Sequence, residues 1–211
     1  MLAYIFTIVA CLIAIAAYVI YYLDIRKQSI IPSRFSWIIW SLSASLETLT
    51  YGYVSDDKLK SVFFITSALC CLLITGKIWR CGDRKVPNRA ETSLTFCTGA
   101  VAVWLLLKSP FLAHMLLLVA IPIVFLPTIK STLADAKNEN SRAWVLWAAS
   151  DLLMIIVILS RLEDFKELPY ALVEFGCHFT LVIALYRNRI LNALRARKYS
   201  TGHSVGLVKV Q

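Results

Sequence analysis

The stretch Ser33-Arg34-Phe35-Ser36-Trp37-Ile38-Ile39-Trp40-Ser41-Leu42-Ser43-Ala44 decides how this chain is read, because a second version follows it. That version is Ser141-Arg142-Ala143-Trp144-Val145-Leu146-Trp147-Ala148-Ala149-Ser150-Asp151. Trp37 and Trp144, Trp40 and Trp147, and Ser43 and Ser150 share one offset of 107 residues. Internal repeats of this kind are common in transporters, where substrate sits between the two halves.

Each block opens an apolar segment with one polar face. At helical spacing Trp37, Trp40, Ala44, Glu47 and Tyr51 fall together, with Ser36 and Ser43 at the edge. Ile38, Ile39, Leu42, Leu46 and Leu49 face the other way and suit lipid. In the second copy Trp147, Ser150, Asp151 and Met154 gather on one face, with Trp144 beside them. An ionised carboxylate facing acyl chains is costly, so Glu47 and Asp151 are expected to point into the bundle or a cavity. By the offset Asp151 matches Ala44, one helical turn from Glu47, so the carboxylates sit at slightly different depth.

The surrounding composition makes this a polytopic membrane protein. Hydrophobic residues are 59% of the chain, and the mean hydropathy of +0.69 exceeds that of ordinary soluble domains. Seven spans are predicted, at about 2–23, 35–54, 61–79, 92–108, 111–129, 143–160 and 168–186, each near the ~20 residues that cross a bilayer as helix. The runs do not alternate as barrel strands would. The expected fold is all-α: residues 1–79 form a first three-helix repeat, 80–110 a basic linker and linker helix, 111–187 a second three-helix repeat, and 188–211 a basic tail. The tail is expected to continue as a short helix on the inner membrane surface, with a disordered end from Ser200.

The net charge of +9 would suggest nucleic acid in a soluble protein. Here it follows from topology. The 1–2, 3–4 and 5–6 loops and the tail hold seventeen of the 22 basic residues, and the other side holds Lys58, Lys60, Lys108, Arg161 and Lys166. The positive-inside rule then places the N-terminus outside and the C-terminus in the cytoplasm of a cell (inner) membrane. No nucleic-acid partner is expected. No cleaved signal peptide is expected either, since the first apolar run is long enough to stay as a span. The six cysteines show no Cys-x-x-Cys and read as small packing residues.

Further candidates lie in the remaining spans. Thr66, Ser67, Cys70, Cys71 and Thr75 in span three either let helices approach closely or line a polar path. Span five contains Pro122 and Pro127, each a hinge or a static kink, and His114, read as a packing or interface residue. Span seven aligns Tyr170, Glu174 and His178 on one stripe, where Glu174 and His178 are placed to bond each other.

These residues carry a resemblance. Pro32-Ser33-Arg34-Phe35-Ser36-Trp37-Ile38-Ile39-Trp40 resembles a Pro-x-x-x-Ser-Trp-x-x-Trp block. Phe125-Leu126-Pro127-Thr128-Ile129-Lys130, followed by Glu139-Asn140-Ser141 and Trp144-Val145-Leu146-Trp147, resembles its second block. Both are found in a group of uncharacterised prokaryotic seven-span membrane proteins. That group is similar to the PQ-loop class, which includes SWEET sugar transporters, their half-sized bacterial relatives and Pnu-type vitamin transporters. The resemblance implies parallel three-helix repeats, a linker helix between them and a central substrate path. Pro127 stands where the PQ-loop proline would be, but Thr128 replaces the glutamine, and the offset from Pro127 lands on Ile20 in the first half.

The leading expectation is a membrane transporter, a facilitator or proton-coupled carrier of a small polar solute. Glu47, Asp151 and Glu174 are intramembrane carboxylates, with no Lys or Arg read inside any span to neutralise them. Trp40 and Trp147 are assigned to stacking or gating, Glu47 and Asp151 to solute or proton binding, and Glu174 with His178 to a proton-sensitive pair. The alternative is a non-transporting subunit, scaffold or signalling protein. An enzyme is not expected: there is no His-x-x-x-His, Gly-x-Ser-x-Gly or phosphate-binding glycine loop, and three histidines leave little for a metal. No cofactor or metal is expected, and a homo-oligomer is left open.

Overall fold

The computed structural model describes residues 1–84, 90–135 and 139–206, with the side chains of all of these except 90–93, 96, 188, 189 and 192–206. Lys85, Pro87, Asn88, Arg89, Lys137 and Lys209, which the sequence reading placed in loops and tail, lie outside the described residues. The protein is all-α. Its helices are α1 (Leu2–Arg26), α2 (Arg34–Val54), α3 (Lys58–Cys81), α4 (Ala90–Leu107), α5 (Pro110–Ala134), α6 (Ser141–Ser160) and α7 (Leu168–Gly206), with one 3₁₀ turn at Phe165–Glu167 before α7. Among the described residues, five segments are long and apolar enough to cross a membrane: α1, α3, α5, α6 and Phe165–Arg187. Within α4, Cys97–Leu107 is a shorter apolar stretch. Helix α2 falls outside that set because Arg34, Glu47 and its many Ser, Thr and Tyr residues dilute its apolar character. Helix α7 continues to Gly206, past the point at Ser200 where order was expected to end.

Side-chain caps set the helix starts. Ser33 accepts from the Ser36 N–H at 3.3 Å, and Asn140 accepts from Arg142 and Ala143 at 2.7 and 3.2 Å. Asp57 accepts from Leu59 at 3.0 Å, and Asp164 accepts from Lys166 at 3.0 Å. Asn140 stands 107 residues after Ser33, and Asp164 stands 107 after Asp57. The same spacing relates buried stripes. On α1 these are Ala10, Ala14, Ala17, Tyr21 and Ile25, and on α5 they are Leu117, Ile121, Val124, Thr128 and Thr132. The three alanines of α1 leave room for a neighbouring backbone to approach closely.

The packing partners follow the same rule. Helix α1 packs on α6 and α3, whereas α5 packs on α2 and α7. Helices α2 and α3 pair as α6 and α7 do, and α4 leans on α5 and α2. Long aliphatic side chains point outward from the bundle, among them Leu12 on α1, Leu69 and Leu73 on α3, and Ile183 on α7. At the end holding the start of α2, the loops after α1 and α3 are tied together. The Arg34 N–H donates to the Asp83 carbonyl at 2.9 Å and the Asp83 N–H to that of Pro32 at 3.0 Å. Gly82 lets the two loops come this close, since a Cβ there would lie 3.0 Å from the Pro32 carbonyl oxygen and would also clash with Ile78.

Candidate functional site

A cavity of about 800 Å³, counting its open mouth, lies between the helices. Its lining comes from α1, α2 and α3 on one side and α5, α6 and α7 on the other. The lining residues fall into pairs at the 107-residue offset. Trp37 faces the cavity with Trp144, Trp40 with Trp147, Ser43 with Ser150, Ala44 with Asp151, Ser67 with Glu174 and Cys71 with His178. Ala14, Tyr18, Phe63 and Phe64 are matched in the same way by Ile121, Phe125, Tyr170 and Ala171. Met154 is the remaining lining residue, and its counterpart Glu47 does not line the cavity.

The four tryptophans form a cluster whose spacings mirror one another. Trp37 and Trp147 have ring centroids 6.3 Å apart, and Trp40 and Trp144 are 6.0 Å apart. Within each helix the pairs lie at 5.2 Å (Trp37–Trp40) and 4.8 Å (Trp144–Trp147), both edge to face. Such pairs contribute about 0.5–1.5 kcal/mol each beyond their buried area. The indole N–H groups of Trp40 and Trp147 have no hydrogen-bond partner among the described residues. Buried donors are normally satisfied, so these two stand ready for an acceptor within the cavity.

The ionisable wall belongs to the second half. His178 Nδ1 lies 2.6 Å from Asp151 Oδ2, and its ring sits among Phe125, Trp144 and Trp147 at 5.2, 5.6 and 5.9 Å. Glu174 was expected to be the bonding partner of His178, but its Oε2 is 3.9 Å from Nε2, outside hydrogen-bond reach. The i, i+4 stripe of α7 aligns the two side chains, yet Asp151 on the facing helix offers His178 the shorter contact. The Glu174 side chain keeps 22% of its surface accessible.

Glu47 lies apart from this wall. It is fully buried and its Oε2 meets His114 Nδ1 at 2.7 Å, with Thr50 Oγ1 3.2 Å from the same nitrogen. His114 is therefore the acid's partner on α5, in addition to packing against Tyr51 and Tyr170. Of the candidate residues, Trp40, Trp147, Asp151, Glu174 and His178 come together at one cavity, whereas Glu47 forms a separate buried pair. Pro122 and Pro127 both sit within α5, which runs unbroken from Pro110 to Ala134.

Two buried clusters escaped the sequence reading. Lys60, placed there in a loop, belongs to α3 and is fully buried: its Nζ is 2.6 Å from Glu167 Oε2 and 3.8 Å from Asp57. A basic residue thus lies within an apolar helix after all, although it neutralises Glu167 rather than the three candidate acids. Arg161 closes the group with Nε 2.6 Å from Asp57 Oδ2. Asp57 is held below the usual carboxylate range: burial opposes this, and the Arg161 guanidinium, the Leu59 N–H and Lys60 outweigh it. Lys60 and Glu167 are themselves 107 residues apart, so this pair joins equivalent positions of the two halves. At the opposite end Glu139 accepts from Trp144 Nε1 at 2.9 Å and from the Tyr21 hydroxyl at 3.1 Å. Burial pushes its carboxyl up to about 7, against the lowering effect of those two donors. Asn140 bonds Asp24 beside it, which ties the loop before α6 to the end of α1.

Comparison with protein-family models, with curated proteins and with solved structures finds no match. The reading of the site therefore rests on its own geometry. No group of three or more His, Cys, Asp or Glu side chains among the described residues is arranged to hold a metal ion.

Proposed function

We propose that this protein is a membrane transporter, a facilitator or proton-coupled carrier of a small polar solute. The observation that carries the reading is the cavity lined by ten pairs of residues at one sequence offset. Two similar triple-helix units facing each other build a central path by construction, and solute sites in repeat transporters sit at such interfaces. In this reading 1–79 and 111–187 are parallel repeats and α4 is the linker that lets the second insert in the same direction. All seven helices span the cell membrane, with the N-terminus outside and the C-terminus in the cytoplasm. The resemblance to PQ-loop, SWEET and Pnu-type carriers belongs to the same proposal.

The polar groups support transport over mere packing. Asp151, Glu174 and His178 are ionisable groups at mid-bundle depth, where burial is expensive unless a path needs them. Trp40 and Trp147 supply stacking surfaces and two unsatisfied donors to a polar solute. Asp151 positions His178, Glu174 meets the solute or a proton, and the site binds and releases rather than reacts.

Uptake of a panel of sugars, vitamins and amines into proteoliposomes, with and without a proton gradient, tests this reading. Saturable flux of at least one solute, reduced about tenfold or more by Asp151→Asn in folded protein, is the expected result. No flux of any solute, with a stable co-purifying partner, would replace the proposal by the subunit or scaffold reading.

A further inference from the structure

The charge around the cavity is one-sided in sign as well as in position. Asp151 and Glu174 line it, and among the described residues no Lys or Arg does. The buried ammonium of Lys60 is committed to Glu167 at 2.6 Å. Among the described residues His178 is the only basic group lining the cavity, and it is committed to Asp151 at 2.6 Å. That leaves Glu174, whose side chain keeps 22% of its surface accessible and whose Oε2 lies 3.9 Å from His178 Nε2, as the lining carboxylate with no basic group inside hydrogen-bond distance. Trp40, Trp147, Tyr18 and Tyr170 line the same cavity. Aromatic faces attract cations and give nothing to anions, and the attraction strengthens where water is excluded. An aromatic enclosure also argues against a bare metal ion, which needs a shell of oxygen ligands. The imidazole of His178 already occupies one such setting, among three aromatic rings.

We infer that the cavity selects a compact organic monocation, a protonated amine or quaternary ammonium that carries at least one acceptor oxygen. The positive centre sits by Glu174 within the aromatic faces, and the oxygen accepts from the indole N–H of Trp40 or Trp147. This inference rests on the solute-path reading above and narrows it to one chemical class.

Choline, its uncharged isostere 3,3-dimethylbutan-1-ol and the anion 3,3-dimethylbutanoate separate charge from shape. Each is titrated against the full-length protein in nanodiscs, with tryptophan fluorescence as the readout. Choline is expected to give saturable quenching, with the alcohol and the anion at least about tenfold weaker. Glu174→Gln is expected to weaken choline by about tenfold or more and to leave the alcohol unchanged. Because the comparison of the three probes is made on wild-type protein, it holds even if that variant does not fold. If the alcohol or the anion binds as tightly as choline, the cation class is wrong while the cavity as a solute site stands. If none of the three binds, the inference also fails. The transporter reading falls with it only when the uptake panel is silent too.

Discussion

The two halves of the molecule share a scaffold and differ in chemistry. Asn140 caps α6 where Ser33 caps α2, and Asp164 caps the turn before α7 where Asp57 caps α3. The paired tryptophans keep matching spacings across the centre. Against that constancy, Ala44, Ser67 and Cys71 of the first half face Asp151, Glu174 and His178 of the second. Glu47 reverses the pattern, since its counterpart is the apolar Met154. The comparison teaches that caps, small residues and tryptophans hold the geometry in duplicate, while ionisable groups are needed once.

The largest effect is expected where the halves are bolted together. Lys60→Met leaves Glu167 buried without its partner, and breaking a buried pair in this way costs roughly 3–5 kcal/mol. Thermal unfolding in detergent should show a large loss for Lys60→Met and substantial recovery in Lys60→Met with Glu167→Met. A full loss in the double variant would mean that the pair does more than neutralise itself.

Next comes the asymmetry between the buried acids. Asp151→Asn should lower solute flux by about tenfold or more, because it releases His178 at the cavity wall. Glu47→Gln should change flux by less than about threefold, because Glu47 keeps its contact with His114 away from the lining. Equal losses in the two variants would erase the distinction between the halves. Trp40→Ala and Trp147→Ala sharpen the other side of the comparison: they occupy equivalent places, so their losses of flux should agree within about threefold, roughly 0.7 kcal/mol.

The smallest effect concerns pH. Glu139 has Pro32 as its first-half counterpart, so this inner contact exists once. Its folded pKa of about 7 lies above the ordinary carboxyl value of 4.5. The folded protein therefore binds more protons than the unfolded chain between those values, and stability falls as pH rises. The contribution is full below about 4.5 and lost as pH passes about 7. Unfolding midpoints measured from pH 4 to 8 should show this slope in wild type and not in Glu139→Gln.

Most of the scaffold was legible because it is written in periodicity. The tryptophan blocks, the polar faces of α2 and α6 and the stripe of α7 located five of the six candidate residues at the cavity. The helices start within a few residues of the expected apolar runs for the same reason, as those runs begin where charges and caps end. Glu47 points into the bundle as expected but away from the cavity, because a helical face spans more than one environment. Its side chain turns toward α5, and no pattern within α2 records what α5 presents there. Lys60 was missed because a lysine next to an apolar run reads as a loop charge, while its acid lies in the other half. Only the offset connects them. Glu139 gives no local signal at all, since its burial comes from Tyr21 on α1 and Trp144 on α6.

One measurement bears most directly on a shared water-filled path between the halves. Ser67 and Glu174 are equivalent positions on facing walls, whereas Leu69 points outward from α3. In protein whose six native cysteines are replaced, Ser67→Cys, Glu174→Cys and Leu69→Cys are each exposed in membranes to a charged, water-soluble thiol reagent. The account predicts that the thiols at positions 67 and 174 are both modified and that the one at 69 is not. Modification at 69 alone, with both wall positions inert, would contradict it.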